Sequence, residues 1–310
     1  MRVLVTGASG FVGRAVCRAF GETGDSVHAL LRGSAPGNPI AGVSTTAVAG
    51  PIERVDDWRP FLTDVDVVIH LAARVHEEDA ADYDAVNRDA AARLAAASAG
   101  TGVKHFVFVS TVKVMGEKNA RDRAFVETDA PRPEGGYAQS KWQAEQMLTA
   151  IARSSSMLLT ILRPPLVYGP CVGANFLRLL RAVERGLPLP LGLVRNRRSI
   201  LYVENLASAI VRAAKGPGGL FFVRDSGDVS SGDLVRMVAT ALGKPAILVP
   251  IPITLLRLAG IATRRSGAVD RLTSSLAVDD AAFRRVMNWQ PPFSTAEGLR
   301  HTAAWYKSRR

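Results

Sequence analysis

The sequence predicts an α/β fold, in which a doubly wound parallel sheet is followed by a smaller C-terminal α/β lobe. Short β-rich runs alternate with helical patterns through the first half of the chain, and this alternation is typical of a parallel sheet with helices on both faces. The first β-rich run leads straight into three glycines spaced three residues apart. Beyond Arg163, prolines and glycines become frequent and the elements become shorter. We therefore expect a sheet domain over residues 1–165, to which 199–225 return, and a smaller lobe over 166–310.

Each predicted strand is a short run that is rich in apolar and β-branched side chains. In chain order, these strands are residues 3–6, 26–31, 45–49, 65–71, 106–110 and 158–163. The predicted helices carry apolar residues at intervals of three and four, as Val16, Ala19 and Phe20 do in the first. In chain order, these helices are residues 13–23, 52–61, 86–100, 140–153 and 204–214. Because ligands bind at the carboxyl ends of the strands in such a sheet, we expect the functional residues there.

The first strand and the first helix are joined by Thr-Gly-Ala-Ser-Gly-Phe-Val-Gly, residues 6–13. Gly7 permits the tight turn, Gly10 lets backbone amides approach a pyrophosphate, and Gly13 lets the helix pack close to the sheet. The pyrophosphate would lie at the helix N-terminus, where unpaired amides and the helix dipole favour an anion. The sequence therefore predicts a Rossmann-type dinucleotide site; the alternative is a glycine-rich turn that binds no ligand. The other members of this predicted site are Ser9, Phe11 and Val12.

Tyr137 and Lys141 lie four residues apart in the sequence Gly-Gly-Tyr-Ala-Gln-Ser-Lys. A helix would place both side chains on one face. An ammonium beside a phenol favours the phenolate, so we expect the pKa of Tyr137 to fall from about 10 toward neutrality. Tyr137 would then exchange a proton with a substrate at neutral pH. This spacing also arises by chance in amphipathic helices. The pair therefore indicates a catalytic role only together with the glycine-rich turn in the same chain.

The chain of 310 residues has 39 lysines and arginines against 28 acidic residues, a formal net charge of +11. Aromatic residues make up only 6% and the basic residues are mostly scattered, which argues against nucleic acid as a partner. Small anionic ligands account for the charge equally well. The two cysteines, Cys17 and Cys171, provide neither a metal cluster nor a disulfide framework. We therefore expect no metal site and a reducing, cytoplasmic environment.

Residues 246–263 form the most apolar stretch of the chain, but they include Pro250, Pro252 and Arg257. Two prolines and a charge in so short a stretch argue against a membrane-spanning helix, and we expect no stable membrane insertion. A signal peptide is not expected either, because residues 3–5 already belong to the first strand.

Several motifs resemble those of the extended short-chain dehydrogenase/reductase family, in its nucleotide-sugar branch of epimerases, dehydratases and 4-keto reductases. The motifs extend over nearly the whole chain: residues 6–13, His70-Leu-Ala-Ala73, Phe106-Val-Phe-Val-Ser-Thr111, Tyr137 to Lys141, Arg163-Pro-Pro-Leu-Val-Tyr-Gly-Pro170 and Asn205-Leu-Ala207. The resemblance implies that 1–165 bind NAD(P) and that 166–310 bind a nucleotide sugar. It also implies a homodimer, which relatives often form through the helices corresponding to 86–100 and 140–153.

The resemblance implies roles for individual residues. Tyr137 would exchange the proton, Thr111 would hydrogen-bond the reacting sugar oxygen, and Lys141 would hold the nicotinamide ribose and acidify Tyr137. Further cofactor contacts are implied at Ile52, Leu71, Ala72, Ala73, Ser110, Pro164, Leu166 and Val167. Substrate contacts, besides Thr111, are implied at Arg74, Lys113, Asn175, Arg198 and Arg271.

Two of these substrate residues, Asn175 and Arg198, match family positions that meet the nucleotide diphosphate. Arginine suits such a position because its guanidinium makes paired, charge-assisted bonds with phosphate. Arg271 is a third candidate, in a region where the family places an arginine. For all three residues the alternative is an ordinary surface position.

The end of the second predicted strand carries Leu31 and Arg32, where many family members have an acid that binds the adenosine ribose. An arginine without a competing carboxylate suits a 2′-phosphate, so the sequence favours NADP(H) over NAD. NAD is the alternative, with Arg32 stacked on the adenine or exposed to solvent.

The segments Ser110-Thr-Val-Lys113-Val and Asn175-Phe-Leu-Arg-Leu-Leu resemble a subgroup that makes precursors of bacterial surface polysaccharides. This resemblance implies NADPH-dependent reduction of the 4-keto group of a UDP-4-keto-6-deoxy-N-acetylhexosamine, giving UDP-N-acetylquinovosamine or its C4 epimer. One alternative is a UDP-hexose or UDP-N-acetylhexosamine 4-epimerase that retains NAD. An alternative of another class is a non-catalytic protein that senses NADP or serves in an assembly, although such a protein needs only the nucleotide fingerprint.

Overall fold

The computed structural model describes residues 1–33, 39–75, 83–119, 123–264 and 266–309. The strands of its central sheet are β1 (Arg2–Thr6), β2 (Ser26–Leu31), β3 (Thr45–Val48), β4 (Val67–His70), β5 (His105–Val109), β6 (Leu158–Arg163) and β9 (Gly219–Phe222). All neighbouring pairs are parallel, in the order β3-β2-β1-β4-β5-β6-β9. The predicted strands are confirmed, with ends that differ from expectation by one or two residues. The strand order reverses between β1 and β4, which is where a crevice for a ligand forms in such sheets.

Helices pack on both faces of this sheet. In chain order, the α-helices of the described residues are α1 (Phe11–Glu22), α2 (Arg59–Leu62), α3 (Ala90–Gly100), α4 (Gly135–Arg153), α5 (Ala174–Glu184), α6 (Val203–Ala214), α7 (Ser231–Leu242), α8 (Ile253–Ala262), α9 (Ser266–Thr273), α10 (Ala281–Met287) and α11 (Thr295–Lys307). One apolar cluster buries Val16 of α1 and Ile210 of α6, and a second buries Leu94 of α3 and Leu148 of α4. The doubly wound α/β class is therefore confirmed. In the described part of the chain, no helix is both long and apolar enough to cross a membrane.

The prediction of a single helix over residues 52–61 is wrong. The chain instead forms a 3₁₀ turn at Ile52–Arg54 and the short helix α2, separated by the extended residue Val55 and a bend at Asp56. The Asp57 carboxylate accepts a hydrogen bond from the Arg59 amide at 3.0 Å and so starts the second element. Trp58 is 3% exposed, and the burial of this large ring interrupts the helical path.

Beyond β6 the chain first leaves the central sheet and then returns to it. The strands β7 (Leu166–Tyr168) and β8 (Ile200–Tyr202) form a separate parallel pair. β9 then pairs with β6 at the edge of the central sheet. β9 lies within residues 199–225; the division of the chain into two domains, with 199–225 returning to the first, stays a prediction.

Asp225 explains the Asn205-Leu-Ala motif in structural terms. The buried Asp225 carboxylate accepts hydrogen bonds from the Tyr202 amide at 2.9 Å, the Asn205 amide group at 2.7 Å and the Tyr168 hydroxyl at 2.9 Å. Thr295 adds a fourth bond at 3.3 Å. The carboxylate thus ties β7, β8, α6 and α11 together, and Asn205 acts in the fold rather than at the crevice.

Candidate active site

The turn between β1 and α1 is shaped by its glycines. Gly7 has a φ of +69°, and a Cβ there would lie 2.9 Å from the Ala72 nitrogen. A Cβ at Gly13 would lie 2.1 Å from the Gly7 oxygen, so helix and turn could not approach as closely. α1 begins after Gly10 with no side-chain cap, which leaves its first amides for a ligand. These features fit the pyrophosphate of a dinucleotide.

The Thr6 hydroxyl joins β1 and β4 at their carboxyl ends. Thr6 Oγ1 accepts hydrogen bonds from the amides of Leu71 and Ala72, both at 3.2 Å, and lies 2.8 Å from His70 Nδ1. Because two amides occupy the oxygen's lone pairs, its own proton is donated to Nδ1 and His70 carries its proton on Nε2. Burial lowers the pKa of His70 to about 3, so the ring is neutral.

Thr111 and Tyr137 come together beyond the carboxyl end of β5. Thr111 caps a 3₁₀ turn, Val112–Met115, and its hydroxyl accepts a hydrogen bond from the Lys113 amide at 3.3 Å. Tyr137 lies in the first turn of α4, and a hydrogen bond joins it to Thr111. The Tyr83 ring packs edge-on against that of Tyr137, with 6.1 Å between the centroids. The structure therefore brings the two predicted catalytic hydroxyls into contact.

Lys141, one helical turn after Tyr137, is 1% exposed. Its Nζ donates a hydrogen bond to the Val109 carbonyl at 2.7 Å and lies 3.8 Å from the centre of the Phe108 ring. Burial lowers the pKa of Lys141 to about 7, although the nearby Glu145 carboxylate acts in the opposite direction. The side chain is thus anchored on β5, beside the predicted cofactor crevice.

The predicted lowering of the Tyr137 pKa is wrong for this arrangement. Burial raises the pKa of Tyr137 to about 12, and the hydrogen bond from Thr111 opposes the rise only in part. The Lys141 ammonium is bonded to a backbone carbonyl, and a lysine with a pKa of about 7 carries only part of a charge at neutral pH. Tyr137 is therefore a proton donor here, and a positive charge beside its hydroxyl is needed to make it a base.

Asn87 is a buried residue of this site that sequence reasoning missed. Its Oδ1 accepts a hydrogen bond from the Arg74 amide at 2.8 Å, and its Nδ2 donates to the Arg74 carbonyl at 3.0 Å and to Ser140 Oγ at 3.1 Å. Ser140 Oγ in turn donates to the Tyr137 carbonyl at 2.9 Å. Asn87 thus connects the loop after β4 with the helix that carries Tyr137. No signal in the sequence marked it, because Asn87 lies in the π-helical turn Asp84–Asp89, among two aspartates and an arginine.

Two buried polar atoms at neighbouring strand ends have no hydrogen-bond partner among the described residues. They are the hydroxyl of Ser110, after β5, and Nε2 of His70, at the end of β4. Orphaned polar atoms of this kind are expected where a polar ligand binds. Pro164, directly after β6, is buried, whereas Leu166 is exposed and Val167 is partly exposed. The remaining predicted cofactor residues lie at the start of α1 or after β4: Ser9, Phe11, Val12, Leu71, Ala72 and Ala73.

Three of the predicted substrate residues share one region. Arg198 Nη1 donates to the Arg271 carbonyl at 2.7 Å and to the Ser274 carbonyl at 3.2 Å. Burial lowers the pKa of Arg198, whereas the Glu117 carboxylate raises it. Glu117 also pairs with Lys113 at 2.9 Å. Arg198, Arg271 and Lys113 are therefore linked through hydrogen bonds and charge.

The other predicted contacts lie apart from that region. Asn175 is exposed in the first turn of α5. The Arg74 guanidinium lies 3.1 Å from the Glu53 carboxylate, in the turn that buries Ile52, so it contacts the predicted cofactor side. Arg32 is exposed directly after β2.

The parallel sheet, the glycine turn and the Thr111–Tyr137–Lys141 cluster define a Rossmann-type enzyme. The chain belongs to the NAD dependent epimerase/dehydratase family, whose sequence profile matches residues 3–219. It is 37% identical over 312 residues to a UDP-glucose 4-epimerase of Vibrio cholerae, with 97% of this chain and 94% of the relative covered. These findings confirm the predicted family.

Solved structures confirm the fold class. The UDP-glucose 4-epimerase of Thermus thermophilus, in complex with NAD, matches with a TM-score of 0.81 and 24% identity over 100% of both chains. TunA, a NAD-dependent NDP-hexosamine 5,6-dehydratase involved in tunicamycin biosynthesis, matches with a TM-score of 0.79 and 26% identity over 100% of this chain and 99% of that one.

Proposed function

We propose that the protein is a UDP-hexose or UDP-N-acetylhexosamine 4-epimerase that keeps NAD bound through the reaction. The observation that carries this proposal is the 37% identity to the Vibrio epimerase over 97% of the chain. The 4-keto reduction expected from the sequence is supported less well, because it depends on Arg32 and on short motifs. The epimerase has support along the whole chain.

The cluster at the end of β5 supports proton exchange at a sugar hydroxyl. Bound NAD supplies a hydride acceptor and donor. While a positive charge beside its hydroxyl lowers its pKa, Tyr137 would take the proton from the 4-hydroxyl and later return it, and Thr111 would hydrogen-bond the same oxygen. Lys141 would hold the ribose of the cofactor, and its ammonium would supply that positive charge once it is released from the Val109 carbonyl. Fixing the reacting groups in one geometry supplies much of the acceleration.

The region around Arg198 supports diphosphate binding. Epimerisation places hydrogen on the opposite face of C4, so the sugar must turn while the rest of the substrate stays bound. Arg198 Nη1 is fixed by two backbone carbonyls, and the guanidinium has further N–H groups for a phosphate oxygen. Lys113 and Arg271 add positive charge in the same region.

The choice between NAD and NADP is part of the proposal. The family is NAD dependent. Arg32 is the feature that favours NADP, but it is an exposed residue directly after β2. We assign NAD, because an epimerase returns the hydride to its own substrate and needs no reduced cofactor from outside.

The experiment begins with protein purified without added cofactor. We expect bound NAD in the extract and interconversion of the gluco and galacto forms of a UDP-hexose or UDP-N-acetylhexosamine, followed by NMR, with no net change in NADH. An empty protein that transfers deuterium from labelled NADPH to C4 of a UDP-4-keto-6-deoxy-N-acetylhexosamine would instead establish the reductase.

Tyr137→Phe tests the proton exchange directly. We expect turnover to fall about a hundredfold or more with NAD still bound, because one positioned acid or base contributes that much. Tyr306→Phe is the matched control. Tyr306 lies on α11, away from the cluster, and its hydroxyl donates a hydrogen bond to the Glu184 carboxylate at 2.6 Å. Near wild-type turnover in Tyr137→Phe would show that another group exchanges the proton.

A further inference from the structure

Helix α8 is apolar on most of its circumference and is nevertheless exposed. Its sequence, Ile-Thr-Leu-Leu-Arg-Leu-Ala-Gly-Ile-Ala, contains one charged residue. Leu255, Leu258 and Ile261 are 54%, 62% and 66% exposed. A helix that is apolar all round is normally buried in a protein core or in contact with a membrane. The exposure of these three side chains therefore calls for a covering partner.

The exposed residues form a stripe opposite the face with which α8 packs on the protein. Ile253 and Leu256 pack against the core, and Gly260 is buried. A Cβ at Gly260 would lie 2.8 Å from the Val269 side chain of α9. At 100° per residue, Leu255, Leu258 and Ile261 project from the opposite side of the helix. The stripe is thus a second apolar face and not the rim of the packed one.

Further exposed apolar side chains lie on α9, which packs against α8, and on the segments 185–198 and 244–252. Leu187, Leu193, Ile247 and Leu272 are 44% to 48% exposed. The segments that carry Leu187, Leu193 and Ile247 are held side by side, because the Leu189 amide donates to the Ile247 carbonyl at 2.9 Å. Exposed apolar side chains concentrated in this way mark an interaction site rather than an ordinary surface.

The charge of the same segments indicates what covers them. Residues 185–198 and 244–275 contain nine lysines and arginines and one acidic residue, Asp270. Arg257 lies on α8 and Arg264 lies just after it, and both are exposed. Apolar side chains flanked by arginines match an anionic bilayer, because the apolar atoms enter the acyl boundary while the guanidinium groups reach lipid phosphates.

We propose that α8 and α9, with the adjoining segments 185–198 and 244–252, dock the protein on the surface of an anionic lipid bilayer. The helices lie on this surface and do not cross it. Arg198, the candidate diphosphate residue, bonds to the carbonyl of Arg271, which is next to the exposed Leu272. Docking therefore brings the substrate region close to the lipid headgroups.

The test measures binding to vesicles of phosphatidylcholine with or without phosphatidylglycerol. We expect the wild type to sediment with the anionic vesicles and to bind neutral ones weakly, with an affinity that falls as salt rises. Leu258→Glu/Ile261→Glu should lower the affinity by about tenfold or more, and Arg257→Gln/Arg264→Gln should reduce it and its salt dependence. Val48→Glu is the matched control, since Val48 is 54% exposed on β3, and its binding should be unchanged.

Folding and activity separate this proposal from the proposed function. All variants should keep the wild-type melting temperature and turn over a UDP-sugar normally, because the changed residues are exposed and outside the catalytic cluster. A wild type that ignores anionic vesicles, or a Leu258→Glu/Ile261→Glu variant that binds them as the wild type does, would overturn the proposal. A dimer that this variant converts into a monomer, without vesicle binding by the wild type, would show that a second copy covers the surface.

Discussion

The buried Lys141 leads to a quantitative prediction about stability and pH. In the cofactor-free protein, burial lowers the pKa of Lys141 from 10.5 to about 7, while the unfolded chain has the ordinary value. Between these pH values the unfolded chain binds more protons than the folded one, so the free energy of unfolding rises with pH across this window. With 1.36 kcal/mol per pKa unit, the lysine contributes a rise of roughly 2 kcal/mol between pH 7 and pH 9.

Lys141→Met removes the titrating group and keeps the apolar stem over the Phe108 ring. We expect the variant to be more stable than the wild type at pH 7, with an advantage that shrinks as the pH rises. Urea unfolding of cofactor-free protein at several pH values measures this, since the midpoint and slope give the free energy at each pH.

The control is Lys104→Met, which removes a lysine whose side chain is 76% exposed, so that no burial cost is involved. Parallel pH curves for the wild type and Lys141→Met would refute the reasoning, because they would show that the Lys141 ammonium is not destabilised by its position. A Lys141→Met variant that is less stable at pH 7 would show that the bond to Val109 outweighs the cost of burial.

Three further predictions concern the cofactor and the buried charges. Arg32→Ala should weaken NAD and NADP binding to the cofactor-free protein by similar factors in calorimetry; an additional loss of about 1.5–3 kcal/mol for NADP alone would mean that Arg32 binds a 2′-phosphate and would contradict NAD. Arg163→Met should lower the free energy of unfolding by about 3–5 kcal/mol, because it leaves Glu145, 2% exposed, without its charge partner. The double variant Glu145→Met/Arg163→Met should recover most of that loss. If its loss of stability instead equals the sum of the losses in Glu145→Met and Arg163→Met, the two residues are not a coupled pair. His70→Asn should lose stability less steeply than the wild type below pH 6.5, because the folded protein, with a His70 pKa of about 3, does not take up the proton that the unfolded chain binds; equal slopes in acid unfolding would contradict a buried neutral ring.

The sequence determined the features that depend on short stretches of chain. Gly7, Gly10 and Gly13 identified the first strand, the turn and the helix, because glycine spacing and backbone geometry are local properties. The Tyr137 and Lys141 spacing placed both residues on α4 for the same reason. The family followed from motifs of this kind, and the comparisons confirm it.

The helix predicted over 52–61 shows where local patterns are insufficient. Its apolar spacing is compatible with a helix, but the burial of Trp58 and the bond between Asp57 and Arg59 divide the segment. The bond between Asp57 and Arg59 is local, whereas the burial of Trp58 depends on the neighbouring structure against which the ring packs, which the apolar spacing does not encode.

Only the tertiary structure decided the electrostatics of the candidate site. The pKa of Tyr137 depends on where the Lys141 ammonium points, and that is set by the Val109 carbonyl, 32 positions earlier in the chain. Asn87 donates a hydrogen bond to Ser140, 53 residues later in the chain, and Arg198 donates one to the Arg271 carbonyl, 73 residues later. Such contacts form when packing removes polar groups from water and each must find a partner, so they follow from the whole fold and not from any segment of the sequence.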